Sequence, residues 1–186
     1  GGCIPPGSPA AGNNGPLCVG NALNLTASAV TNATYSWTGP NGFSSSLQNP
    51  VISNVSLADA GVYGVTASVN GCTSIAGNTT VAVNDTPSSA FIFTPASPVT
   101  GQNVSFISGV SGASYNWTFL NGTPASDNSQ TPVVTWSAPG TYTVNLTVSK
   151  NGCGSASTVA VTVTNCTGSQ TFIYTGIQQT FTVPAC

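Results

Sequence analysis

Ten side chains hold most of the reactive chemistry open to this chain: six cysteines and four charges. The cysteines are Cys3, Cys18, Cys72, Cys153, Cys166 and Cys186; the charges are Asp59, Asp85, Asp127 and Lys150. Thiols alternating with imidazoles would read as a zinc cage, but the chain has no His. The thiols therefore read as disulfides, formed in an oxidising compartment outside the cell. A nucleophilic Ser or Cys needs an adjacent base, and neither His nor a nearby Lys can serve. Glycoside hydrolysis needs two carboxylates flanking one bond, and the three Asp are widely separated. Catalysis is not expected, nor is a metal or any cofactor. A single Lys cannot neutralise a phosphate backbone or an anionic bilayer, so neither nucleic acid nor an anionic membrane surface is expected as a partner. No apolar run approaches the roughly 18 residues of a membrane span, which argues against insertion.

The elements that position these residues must be built from an unusual alphabet. Charged residues make up 2% of the 186 positions, yet hydrophobic residues reach 40%, enough for a core. Ser, Thr and Asn occupy 68 positions and hydrate the surface without ions. Ten Asn-x-Ser/Thr triplets begin at Asn24, Asn32, Asn54, Asn78, Asn84, Asn103, Asn116, Asn121, Asn145 and Asn165. In so Asn-, Ser- and Thr-rich a chain they read as products of composition rather than as glycan acceptors. The chain opens Gly1-Gly2-Cys3, and is expected to be a processed product or a piece of something longer.

The chain repeats itself at a spacing of about 80 residues. Ala33-Thr-Tyr35-Ser-Trp37 returns as Ala113-Ser-Tyr115-Asn-Trp117, and Gln48-Asn-Pro50-Val51 as Gln130-Thr-Pro132-Val133. Gly61-Val-Tyr63 returns as Gly140-Thr-Tyr142, and Asn70-Gly71-Cys72 as Asn151-Gly152-Cys153. Within each copy the period is two: Leu23, Leu25 and Ala27 alternate with polar residues, as do Tyr142, Val144, Leu146 and Val148. Such alternation predicts half-buried strands, and the two Asn-Gly pairs predict type I′ hairpins. The fold class is all-β, two tandem β-sandwiches, with Trp37 and Trp117 as core indoles. Tyr63 and Tyr142 belong to the same structural core, Tyr63 closing a corner whose hydroxyl bonds back to the backbone. Asp59, in that corner, reads as a structural hydrogen-bond acceptor.

The first copy resembles the immunoglobulin-like repeats of large secreted surface proteins of Bacteroidota. It does so through Pro16-Leu-Cys18-Val-Gly20, Leu23-Asn-Leu25-Thr-Ala27, Tyr35-Ser-Trp37-Thr-Gly39-Pro-Asn-Gly42-Phe43 and Asn70-Gly71-Cys72. The second copy resembles a PKD domain through Tyr115-Asn-Trp117-Thr-Phe119 and Trp136-Ser-Ala-Pro139-Gly140-Thr-Tyr142. The resemblance implies an immunoglobulin-like/PKD fold and a secreted, cell-surface, adhesin-like habitat. Where many PKD domains carry an acidic turn, this chain has Leu120-Asn121-Gly122-Thr123, which leaves a calcium site unsupported. The expected organisation is an extended lead-in over 1–17, an immunoglobulin-like sandwich over 18–85 and a PKD-like sandwich over 86–165. A β-hairpin or docking strand follows over 166–186.

Two further expectations concern assembly. In the tail, Thr171-Phe-Ile-Tyr-Thr175 and Gln179-Thr-Phe-Thr-Val183 flank Gly176, so a hairpin there would face Cys166 with Cys186. An isolated hairpin is marginal in water and must dock, which marks Phe172, Tyr174, Phe181 and Val183 as the expected assembly interface. For the other four cysteines, one pairing joins Cys18 to Cys72 and leaves Cys3 and Cys153 for neighbouring subunits. Cys72 and Cys18, however, sit near opposite ends of the first sandwich, more than about 20 Å apart at ~3.3 Å per residue. Bridged Cα atoms lie within about 7 Å, which favours Cys3–Cys72 and a Cys18–Cys153 clamp between the two sandwiches. The expected role is that of a non-enzymatic structural or adhesive protein, a subunit or repeat of a surface fibre. Its partner would be itself, head to tail, or neighbouring repeats of a longer chain. The alternative is a glycan-binding accessory module of a secreted polysaccharide-degrading protein, using an aromatic strip from Trp37, Phe43, Trp117, Phe119 and Trp136.

Overall fold

The computed structural model of the chain describes residues 2–166. The protein is all-β and divides into two units. The first comprises the chain up to Thr86 together with Asn151–Cys153; the second comprises Pro87–Lys150 and the chain from Gly154 on.

The first unit contains β1 (Ala11–Asn13), β2 (Leu17–Cys18), β3 (Leu23–Ala27), β4 (Thr34–Thr38), β5 (Ser44–Ser45), β6 (Val51–Ile52), β7 (Gly61–Val69), β8 (Cys72–Thr73), β9 (Gly77–Val81) and β10 (Val83–Asn84). One sheet has the order β1-β3-β6; the other runs β5-β4-β7, with β8 and β9 both paired to β7. β2 pairs in parallel with β10. The alternation in β3 does what period two demands: Leu23, Leu25 and Ala27 are buried while Asn24 and Thr26 face water. Burial of each of the two leucines contributes about 1.5–3 kcal/mol.

The second unit follows with β11 (Phe91–Thr94), β12 (Val104–Ser108), β13 (Ser114–Phe119), β14 (Ser126–Asp127), β15 (Val133–Val134), β16 (Gly140–Lys150) and β17 (Cys153–Val163). Its sheets are β11-β12-β15 and β14-β13-β16-β17. The turn before β17 and the first residue of that strand, Asn151–Cys153, belong to the first unit, and the rest of β17 to the second. Both Asn-Gly turns carry positive φ at their two central residues, 50° and 80° at Asn70-Gly71 and 52° and 80° at Asn151-Gly152. That is the backbone a type I′ hairpin requires and that Asn and Gly adopt most readily.

Residues 1–17 are more than an extended lead-in. β1 pairs antiparallel with β3, Ala11 opposite Ala27 and Asn13 opposite Leu25. Leu17 is buried and pairs with Val83. The Asn13 amide donates to the Thr79 hydroxyl and to the Thr80 carbonyl on β9 of the opposite sheet, at 2.6 and 3.1 Å. Upstream, the Pro9 carbonyl oxygen lies 1.8 Å from where a Cβ on Gly77 would stand, so only glycine lets the segment cross there. Small residues such as Ala11 and Gly12 show no apolar alternation, and it is their non-local partner, not their own pattern, that makes them a strand.

Candidate functional site

The corner that the sequence marks at Tyr63 is built by local hydrogen bonds. Ser56 and Asp59 form a capping box around the short turn Leu57–Asp59. The Asp59 carboxylate accepts from the Ser56 backbone N–H and hydroxyl, both at 2.8 Å, and from the Asn41 amide at 3.2 Å. The Tyr63 hydroxyl then donates to the Asp59 backbone carbonyl at 2.9 Å. The Ser56 N–H is the main reason the Asp59 carboxyl is held below its ordinary value, against an opposing push from burial. Burial, with the Asp59 charge second, pushes the Tyr63 hydroxyl up. Asp59 is thus spent on holding the corner. In the second unit the Tyr142 hydroxyl donates to the Ala138 carbonyl at 2.8 Å, the same four-residue return without a carboxylate. Asp127 serves elsewhere, accepting from the Ser129 hydroxyl and backbone N–H, which hold its carboxyl below the ordinary range.

The indoles are fully enclosed. Trp37 and Trp117 are 0% exposed, and their ring N–H groups donate to the carbonyls of Gln48 and Ser129 at 3.2 and 2.9 Å. Two glutamines make a second repeated contact: Gln48 donates to the Ala27 carbonyl and Gln130 to the Ser108 carbonyl, at 2.8 and 3.1 Å. Both glutamines stood in the repeated motif, but nothing in their spacing announced this role. The proposed aromatic strip for sugar binding is not assembled. Trp136 and Phe119 are buried with Trp117, and Phe43 is half-buried with its ring edge-on to Tyr63 at 5.5 Å. Trp136 stacks on Tyr142 at 5.5 Å and donates to the Leu120 carbonyl at 3.0 Å. A ring whose face is covered by other rings cannot receive a sugar. Among the described residues no buried side-chain N or O lacks a partner, and no group of three His, Cys, Asp or Glu comes together.

Cys3 is bonded to Cys72, and Cys18 to Cys153, with Cα separations of 5.6 and 5.7 Å. The second bond ties β2 to the first residue of β17, 135 residues on in the chain. The Asn84 amide donates to the Asn151 carbonyl beside it at 3.0 Å. Cys166 is disulfide-bonded. Cys186 and the expected interface residues Phe172, Tyr174, Phe181 and Val183 lie outside the described residues.

The comparisons with known proteins agree with this geometry. The family model described as "PKD domain" matches residues 90–164. The solved structure of Down Syndrome Cell Adhesion Molecule, isoform 1.30.30, N-terminal eight Ig domains, superposes with a TM-score of 0.56 at 17% identity. That match covers 86% of this chain and 27% of the other, and shows the fold. The chain has an all-β, immunoglobulin-like sandwich fold, and its residues 90–164 are similar to a PKD domain. Murine CEACAM1b also matches, at TM-score 0.47 and 12% identity, over 86% of this chain and 100% of that one. No curated protein sequence matches the chain. Among the described residues no helix is long and apolar enough to cross a membrane.

Proposed function

We propose that this immunoglobulin-like and PKD domain protein is a non-enzymatic structural or adhesive component of the cell surface, a subunit or repeat of an extracellular fibre. Copies join head to tail through the C-terminal segment 167–186. The observation that carries this reading is the sequence of that segment, which follows two complete sandwiches. Its apolar residues Phe172 and Tyr174, then Phe181 and Val183, recur at the strand period and need a partner surface to cover them. The disulfides and the domain type support an extracellular habitat. The near absence of charge supports a surface made for packing against copies of itself, since low net charge favours association. A contact between two different surfaces of one molecule propagates into a filament unless rotation closes it. Electron microscopy and sedimentation velocity of the purified chain test the reading. Filaments are expected from the full chain, and single particles with unchanged circular dichroism from a chain lacking 167–186. Polymers of normal length from the shortened chain would exclude the segment as the joint.

A further inference from the structure

One face of the second unit carries an exposed isoleucine pair that its counterpart in the first unit lacks, although both share an exposed valine, Val51 in the first and Val133 in the second. In β11 and β12, Ile92 stands directly opposite Ile107. Both side chains point away from the core, 71% and 42% exposed, and Val133 on β15 is 45% exposed across from Ser105. Shallow grooves flank the pair, one bounded by Phe91, Ser108 and Gln130, the other by Phe93 and Thr131. The repeat supplies a control. Gln48 holds the Ala27 carbonyl as Gln130 holds that of Ser108, so the pairs Ala11–Ala27 and Phe91–Ser108 are equivalent. The next pair along is Gly12–Thr26 in the first unit and Ile92–Ile107 in the second. The sandwich therefore does not need isoleucine at either position, and its burial inside the unit does not explain it.

We propose that this face of β11, β12 and β15 is the acceptor for segment 167–186 of a second copy, a reading that rests on the head-to-tail assembly above. Three observations choose that occupant. In its sequence the segment carries apolar residues at the strand period, Phe172 with Tyr174 and Phe181 with Val183, and the face offers Ile92, Ile107 and Val133 beside the uncharged Thr94 and Ser105. Twenty residues follow Cys166, enough at ~3.3 Å each to lay one or two strands along a neighbour. Neither the segment nor the face carries a charge, so burying one against the other strands no ion. β11 is also the edge of its sheet, where an incoming strand finds unpaired backbone groups.

The test uses the full chain. Substituting Ile92→Thr together with Ile107→Thr keeps β-branched residues on the strands. It should weaken polymer formation at least tenfold in sedimentation velocity while leaving the melting profile in place. Independently, a photo-crosslinking benzoylphenylalanine is placed at Thr131 and a mixture of isotopically light and heavy chains is irradiated. Crosslinks joining position 131 of one chain to 167–186 of the other support the assignment. Crosslinks only within a single chain, or to any other segment, overturn it. Polymers that persist unchanged in the double variant overturn the acceptor face but leave head-to-tail assembly standing. A full chain that stays monomeric at every concentration overturns both.

Discussion

The two units build the same corner around differently filled cores. In the first, the residue two places after the core indole is Gly39, and the Tyr63 ring occupies the space a side chain would take. A Cβ on Gly39 would lie 2.4 Å from the Tyr63 ring. In the second, the residue two places after the indole is Phe119, itself buried. The reason lies in strand length. β7 has nine residues and β16 eleven. Val65 faces Trp37 and Leu146 faces Trp117, so Tyr63 sits two residues before the indole's partner and Tyr142 four. Lengthening a strand by a dipeptide preserves which side chains face inward, since the side-chain period is two. It carries the tyrosine one layer further along. Phe119 fills the vacated layer, and Trp136 stacks on the displaced Tyr142. The hydrogen-bonded return is a local device that travels with its sequence, whereas what the ring packs against depends on distance along the sheet.

The most damaging way to probe this difference is Phe119→Ala, which should cost the second unit about 3–5 kcal/mol through lost burial and a cavity. Hydrogen exchange read by mass spectrometry resolves the two units: peptides from β12, β13 and β16 should lose protection while those from β3 and β4 keep theirs. A uniform loss would mean that the cores are not separate. Smaller, and confined to the first unit, is the effect of Gly39→Ala, expected at about 1–3 kcal/mol because the new methyl collides with the Tyr63 ring. An unchanged melting temperature would show that Tyr63 does not depend on that glycine. Asp59→Ala removes the capping carboxylate and should cost about 1 kcal/mol, again in the first unit alone, measurable by urea unfolding. The second unit offers no equivalent, because its corner closes without a carboxylate.

The smallest effects are those of pH and salt. Asp59 and Asp127 both have folded-state values held below the ordinary 3.8. Their contribution is fully present above the unfolded value and is lost as pH falls through the folded one, so destabilisation begins only below about pH 4. Asp59 is the better enclosed, 8% exposed, and should dominate, with the first unit losing protection earlier in acid. At the alkaline end the Tyr63 hydroxyl is raised above 10.0, so its contribution is intact below that value and lost as pH climbs through the folded one. Between pH 5 and 8, and from low to moderate salt, melting and assembly should barely change, for four charges and no His offer little to titrate or screen. Thermal melts across that grid check it, and a steep slope would reveal an ionic contact that the two-unit comparison misses.

Much of the first-order architecture was legible because it is written locally. Period-two runs, Asn-Gly pairs and the Gly-x-Tyr corner each specify their own geometry within a few residues, and duplication let one copy vouch for the other. The same locality explains the misses. Ala11-Gly12-Asn13 carries no pattern, and its strand exists only because β3 lies alongside. Phe91-Ile92-Phe93 is apolar at every position, so its alternation cannot say which face turns inward; the Trp117 ring packed on Phe91 decides it and leaves Ile92 outside. Trp136, which the sequence offers only as a candidate member of a sugar-binding strip, is buried because the longer β16 brings Tyr142 under it. What the sequence by itself determined were strand, turn and corner, since backbone propensity and side-chain parity act over two to four residues. Which aromatic fills which layer, and which apolar row is left facing water, only the tertiary structure decided, because those outcomes depend on register between strands far apart in the chain.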